Sequence, residues 1–245
     1  MPQAVVDALV LAAAPLNEQD KLVTLLTAEQ GLLKAVAPGA AKMKNRFGAL
    51  LEPFTDGEFH YYWREDRELA TLSKGEIRRS FFPVVSAAGN IFYFYFLGEA
   101  TLRLMQPGHR DTRVYRLLLA VLAAREHGLA MDWLLAYYLV WLLRGEGVLF
   151  NPRRCSGCGA RPLERAWLRS DFRGLLCPAC RRDERLELGG GELEFIAWTA
   201  VHAPDQVGEW PGRFAPAALV RALAAMVEHH AEVTLQSRRY LPEFR

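Results

Sequence analysis

Four cysteines form two close pairs in the second half of the chain. Cys155 and Cys158 are separated by two residues, as are Cys177 and Cys180, and 18 residues lie between the pairs. Two thiolates at this short spacing can converge on one tetrahedral ion, and the separation of the pairs is typical of treble-clef and ribbon zinc sites. The sequence therefore predicts one structural Zn²⁺ per chain, with an iron–sulfur cluster or a redox dithiol as alternatives. Four protein ligands would leave the ion no position for a reacting water.

The segment that carries the cysteines is basic. Between Arg153 and Arg185 it contains nine arginines against four acidic residues. Arginines on a small exposed module can bind phosphate, but they are often simply solvated, so both interpretations stay open here. Gly159, directly after the first cysteine pair, is expected to supply the sharp turn that directs backbone N–H groups at the sulfurs.

A second group of charges lies in the sequence KAVAPGAAKMKNRFG, residues 34–48. No Asp or Glu occurs between Glu29 and Glu52, although the whole chain has 30 basic and 28 acidic residues. On the rim of a small barrel, such a segment suits sequence-independent binding of a phosphate backbone, and the alternative is a solvated charge run. Phe47 and Phe54 either offer stacking faces to unpaired bases or belong to the core. The cations of this segment are Lys34, Lys42, Lys44 and Arg46.

The elements around this segment are predicted to be short strands. From residue 4 to about 75, apolar runs alternate with turn residues, and six runs predict six strands: VVDALVLAA, KLVTLLT, LLKAVAP, ALLEPF, FHYYW and ELATL. AEQG and TDG predict hairpin turns between them. Six strands at this spacing favour a small β-barrel, of which the OB-fold is one example.

After Phe81-Phe82-Pro83 the pattern becomes helical. Apolar residues recur at helical spacing over residues 114–122 with a stop near Gly128, and an all-apolar helix is predicted at about 131–143. Another helix is predicted to start near Pro216. The run IFYFYFL at 91–97 fits either a strand or a buried helix.

The totals limit the classes of protein that fit. The chain has 245 residues with 51% hydrophobic and 24% charged residues, which is typical of a globular protein. A net charge of +2 does not by itself predict nucleic-acid binding. The first apolar run contains Asp7 and lacks a preceding cation, and the longest apolar run, 133–143, is too short to span a bilayer. A soluble cytoplasmic protein without membrane partners is expected.

No enzyme motif stands out. The phosphate loop GxxxxGK[ST], GxGxxG, GxSxG and HExxH are all absent. His229 and His230 are adjacent, and adjacent residues of a helix face different directions, so they are expected to be a core-and-surface pair. The protein is therefore predicted not to be an enzyme. Two alternatives stay open: a zinc-ribbon DNA-binding regulator, and a zinc-finger DNA glycosylase, which Pro2 favours and Gln3 does not.

The sequence resembles the RecO family of recombination mediators over nearly its whole length. TAEQGLLKAVAPGAAKMKNRFGALLEPF (27–54) is similar to the N-terminal signature of that family. Further similar segments follow in the family's order: ELATLSKGEI, LGEATLRLM, VLFNPRRCSGCGA with CPAC, and LQSRRYL. One position departs from the family pattern, because Pro38 stands where the usual Ala-Lys-Gly carries a cation.

This resemblance implies an α+β architecture. Residues 1–80 would form an OB-fold DNA-binding domain and residues 81–245 an all-α domain, with 151–185 as a zinc module inside it. The resemblance further implies binding of single- and double-stranded DNA, annealing of complementary strands, and assistance to RecA with RecR on strands coated by single-stranded-DNA-binding protein. The four cations fall on the family's basic loop and the four cysteines on its metal site. A nucleoid-associated cytoplasmic protein is implied.

Overall fold

The computed structural model describes residues 3–63, 69–105, 112–161 and 163–244. The chain is a mixed α+β protein that divides into two compact units. The first unit comprises Met1–Phe94 and Met105–Arg116, and the second comprises Tyr95–Leu104 and Leu117–Arg245. The first unit carries the segment 34–48 without acidic residues, and the second unit carries the four cysteines.

Five strands build the first unit. They pair in the cyclic order β1-β2-β3-β5-β4, so that the sheet closes into a barrel in which only the β3–β5 pair is parallel. The interior is filled by inward-facing apolar side chains such as Val23, Leu25, Phe59 and Leu72, as expected from the two-residue period of a strand. The strands are β1 (Gln3–Pro15), β2 (Lys21–Thr27), β3 (Gly31–Ala37), β4 (Thr55–Tyr62) and β5 (Ala70–Ser80).

Two of the turn and strand predictions in this unit are wrong. ALLEPF is not a strand, because Gly48–Leu51 forms a 3₁₀ turn that buries Leu50 and Leu51 in the barrel core. Pro53 has no N–H for a ladder, and Phe54 adopts a positive φ of 61°. TDG is not a turn either, since it begins β4. The AEQG hairpin is confirmed by the β2–β3 register, while Glu68, the first residue of the predicted ELATL strand, lies outside the described residues.

Six α-helices are described. The helices predicted over 114–122, about 131–143 and from Pro216 are confirmed, and Gly128 has the left-handed φ of 90° that suits a helix stop. The ambiguous run 91–97 is helical. The helices are α1 (Phe82–Ser86), α2 (Asn90–Leu104), α3 (Thr112–Glu126), α4 (Met131–Gly145), α5 (Gly190–Trp198) and α6 (Pro216–His230). Among the residues that the structure describes, no helix is long and apolar enough to cross a membrane.

The second unit is helical apart from a small sheet. Three short antiparallel strands pair in the order β7-β6-β8: β6 (Arg165–Leu168), β7 (Leu175–Leu176) and β8 (Glu187–Gly189). These strands correct the expectation of an all-α domain, and they lie in the segment that carries the cysteines. Helices α2 and α3 contribute residues to both units, and the domain limits 1–80 and 81–245 stay a prediction.

Candidate metal centre and nucleic-acid interface

The structure brings all four cysteines together. Their Sγ atoms all lie within 4.8 Å of one another, and the Sγ atoms of Cys158 and Cys177 are 3.7 Å apart. Cys155 and Cys177 are buried, Cys180 is half-buried and Cys158 is exposed. Four thiols at this separation can hold one metal ion, as the spacing of the two pairs predicts.

The small sheet holds the two cysteine turns against each other. The N–H of Ser156 donates to the carbonyl oxygen of Leu175 at 2.8 Å, and Cys155 forms a parallel bridge with Leu175. Within the first turn, the N–H of Gly159 donates to the carbonyl oxygen of Cys155 at 2.9 Å. Gly159 has a φ of 80°, a conformation that a residue with a Cβ adopts only with strain. The predicted role of this glycine in the turn is confirmed.

Backbone amides point at the sulfur of Cys155. The N–H groups of Gly157 and Cys177 each donate to this Sγ at 3.4 Å. Burial opposes ionisation of the Cys155 thiol, but amide hydrogen bonds from Cys158, Cys177 and Gly157 outweigh it and lower its pKa to about 6. Hydrogen bonds to the other three cysteines raise the pKa of Cys180 to about 12. Since adjacent thiolates repel one another, full ionisation of the cluster requires a bound cation.

Acidic residues offset part of the positive charge around the cysteines. Arg169 donates two hydrogen bonds to the carboxylate of Asp171, at 2.9 and 2.8 Å, and Arg165 pairs with Glu187 at 2.9 Å. The guanidinium of Arg169 holds the pKa of Asp171 far below its usual range, helped by the Arg173 amide. The first pair lies within the connection between β6 and β7, and the second joins β6 to β8.

The four candidate cations are exposed but occupy two kinds of position. Lys34 lies on β3, opposite Thr24 of β2. Lys42, Lys44 and Arg46 lie in the loop that follows β3, residues 38–47, which we call the basic loop. Within the described ranges, none of the four forms a salt bridge with an acidic residue. The three lysines are therefore available to an external anion, whereas Arg46 also donates a hydrogen bond to the carbonyl oxygen of Leu72. DNA binding by the four residues stays a prediction.

The basic loop is fastened to the turn between β1 and β2. The carboxylate of Asp20 accepts a hydrogen bond from the N–H of Gly39 at 2.8 Å, and the N–H of Ala41 donates to the carbonyl oxygen of Gln19 at 2.9 Å. The Gly39 amide, with a second bond from the side chain of Asn17, lowers the pKa of Asp20 below its ordinary value. At its far end the loop is closed by Asn45, whose Oδ1 accepts from two backbone N–H groups.

The aromatic residues suggested for base stacking are not available. Phe47 is 4% and Phe54 is 3% exposed, so both belong to the core, the second of the two readings. Exposed aromatic rings of the barrel lie instead at the end of β4, at Tyr62 and Trp63. The exposure of Tyr62 could have been predicted from the run FHYYW, because successive side chains of a strand alternate and Tyr61 faces inward.

Comparison with known proteins gives a consistent result along both units. Residues 1–81 match the family model described as Recombination protein O N terminal, and residues 88–239 match Recombination protein O C terminal. The chain is 33% identical over 239 residues to the DNA repair protein RecO of Koribacter versatilis, with 94% of each chain covered. It is 31% identical over 252 residues to the DNA repair protein RecO of Anaeromyxobacter dehalogenans, covering 99% of this chain and 97% of that one. The resemblance is thereby confirmed.

Replacement of Cys158 by Ala should remove bound metal and lower the melting temperature, because three sulfurs cannot complete a tetrahedral site. Each kcal/mol lost lowers the melting temperature by about 2–4 °C in a chain of this size. Metal content by mass spectrometry and thermal melting measure both effects. Asp183→Ala, an exposed change in the same segment, is the control. Undiminished metal content and melting temperature in Cys158→Ala would refute the metal centre.

Replacement of Asp20 by Ala should release the basic loop without unfolding the barrel. Hydrogen exchange at Gly39 and Ala41 should accelerate, whereas Glu18→Ala in the same exposed turn should leave it unchanged. Because the pKa of Asp20 is lowered in the folded protein, the anchor should persist when the pH falls below the ordinary aspartate value and be lost only through the lower, folded pKa. Exchange rates at Gly39 that are equal in both variants would contradict this anchor.

Proposed function

This chain belongs to the RecO family of DNA repair proteins, and on that premise we propose that it is a mediator of homologous recombination. It binds single- and double-stranded DNA and anneals complementary strands. Together with RecR it helps to load RecA onto strands coated by single-stranded-DNA-binding protein, at the nucleoid. The observation that carries the proposal is the group of four exposed cations, without acidic partners among the described residues, on a closed five-stranded barrel.

The barrel is proposed to be an OB-fold. OB-folds are five-stranded barrels that bind oligonucleotides through the face of strands 2 and 3 and through the loops between strands 1 and 2 and between strands 4 and 5. Lys34 lies on strand β3, and the basic loop is fastened to the β1–β2 turn through Asp20 and Gln19. Lys34 on β3, and the contact between the basic loop and the β1–β2 turn, support nucleic-acid binding at this part of the barrel. Pro38 supplies no cation, so the contact of the family's usual lysine is absent at that position.

The metal ion is proposed to be Zn²⁺ with a structural role. Four sulfurs at about 2.3 Å from a tetrahedral Zn²⁺ lie about 3.8 Å from one another, and the observed distance from Cys158 to Cys177 is 3.7 Å. The ion would join the two cysteine turns and stabilise all four thiolates. The donors Cys155, Cys158, Cys177 and Cys180 would hold it, and they leave no position for a substrate.

Annealing by this protein is proposed to need no catalytic residue. Two DNA backbones repel each other, and cations that neutralise phosphates lower this repulsion and release counterions. Holding two strands on one protein also raises their effective concentration. Family membership over both units leaves the zinc-ribbon regulator and the zinc-finger glycosylase without specific support. Pro2, the residue that favoured a glycosylase, lies outside the described residues.

Replacement of Lys42, Lys44 and Arg46 by Ala should weaken DNA binding and flatten its salt dependence. If all four cations contact a single strand, log affinity falls against log salt with a slope of about −3, and with Lys34 alone the slope becomes about −0.7. Fluorescence anisotropy with a labelled oligonucleotide at several salt concentrations measures both quantities.

The control for this variant removes the same charge elsewhere. Arg103→Ala, Arg116→Ala and Arg213→Ala are exposed positions outside the basic loop, and this triple variant should bind with the slope of the unmodified protein. If both triple variants bind alike, net charge and not the basic loop governs affinity, and the proposed interface is wrong. Melting temperatures of both variants should stay within a few degrees of the unmodified protein, because exposed side chains contribute little to stability.

A further inference from the structure

Two adjacent aromatic side chains are exposed at the end of β4. Tyr62 is 37% and Trp63 is 44% exposed, so a large part of each side chain is accessible to a ligand. Among the described residues, neither ring stacks on another aromatic side chain and neither forms a side-chain hydrogen bond. Packing within the barrel therefore does not account for these two rings.

The pleat of the sheet fixes the direction of Tyr62. Tyr61 packs in the barrel core, and successive side chains of a strand point to opposite faces. Tyr62 therefore faces outward. It is paired with Thr71 of β5, which in turn is paired with Val36 of β3.

Lys34 lies on the same outer face. It is two residues from Val36 along β3, and Ala35 between them is buried in the core. With strands about 4.8 Å apart and a rise of about 3.3 Å per residue, the Cα atoms of Lys34 and Tyr62 are about 12 Å apart.

Arg46 approaches the same row of residues from the basic loop. Its Nη2 donates to the carbonyl oxygen of Leu72 at 3.4 Å, and Leu72 directly follows Thr71, the strand partner of Tyr62. The exposed ring of Tyr62 and the two exposed cations therefore share one outer region of the barrel, and the exposed Trp63 is the first residue after β4. This combination is the one that proteins use for unpaired nucleic acid, since bases stack on rings and phosphates pair with cations.

We propose that Tyr62 and Trp63 form a stacking platform for the unpaired bases of single-stranded DNA, with Lys34 and Arg46 beside its backbone. The inference rests on the proposed DNA-binding function and adds a preference to it. Bases of a duplex are already paired and stacked, so they cannot use the platform. The basic loop binds both forms of DNA through phosphates, whereas the two rings favour the single strand.

The test compares three ligands of equal length: an ordinary single strand, a single strand with consecutive abasic sites, and a duplex. The abasic strand keeps every phosphate and lacks the stacking faces. The unmodified protein should bind the ordinary strand about tenfold or more tightly than the abasic one. The double variant Tyr62→Ala, Trp63→Ala should lose this difference, with no change on the abasic strand or the duplex and no change in salt slope.

Two controls separate stacking from folding. Tyr62→Phe with Trp63→Phe keeps two rings and should retain most of the preference for the ordinary strand. Tyr95→Ala removes a ring that is 57% exposed in the other unit and should bind all three ligands like the unmodified protein.

Three results would overturn the inference. If the alanine variant binds the ordinary strand as tightly as the unmodified protein does, the two rings do not bind DNA and could instead contact another partner, such as a protein. A uniform loss on all three ligands would show a general effect on fold or charge. If the unmodified protein binds none of the ligands, the proposed DNA-binding function fails together with this inference, whereas the first two results leave that function standing.

Discussion

The closure of the five-stranded sheet is the constraint on which the candidate nucleic-acid interface depends. In a closed barrel every strand residue either fills the interior or faces outward. The apolar residues of β3 and β4 that fill the core, Ala35 and Tyr61 among them, therefore force Lys34 and Tyr62 onto the outside. The long connection between β3 and β4 has to cross one end of the barrel, and Phe47 and Leu50 anchor it there by entering the core. The cations of this connection stay at the surface. Asp20 holds the loop through the amide of Gly39 and not through an ion pair with a cation.

A different constraint shapes the second unit. The segment around the cysteines has three short strands, and a sheet of this size is marginal by itself. The Sγ atoms of the four cysteines lie within 4.8 Å of one another, so one bound ion could join the two cysteine turns. Amides directed at Cys155 favour the thiolate, and repulsion between neighbouring thiolates makes a divalent cation the natural complement. The proposed Zn²⁺ therefore belongs to the stability of the chain and not to a reaction.

Much of this could be predicted from the sequence, because the decisive signals are local. Each of these signals is contained in one short stretch of sequence. Examples are the two residues between paired cysteines, the AEQG hairpin and the helical stripe that begins at Pro216. Predictions failed where distant contacts decide the structure. ALLEPF has the composition of a strand, but its two leucines fill the barrel from a 3₁₀ turn. Strand alternation within FHYYW turns Tyr62 outward, but its position near Lys34 depends on the register of β4 with β5 and of β5 with β3, which no short stretch of sequence contains.

As a proposed recombination mediator, the protein would bring complementary strands together through electrostatic contacts, without catalysis. This proposal is tested most directly by annealing complementary oligonucleotides that are precoated with single-stranded-DNA-binding protein, in the absence of nucleotide and added metal. We expect this protein to accelerate annealing, and we expect the acceleration to decline as the salt concentration rises. The proposed annealing function would be contradicted if the protein still binds DNA but the coated strands anneal no faster with it than without it.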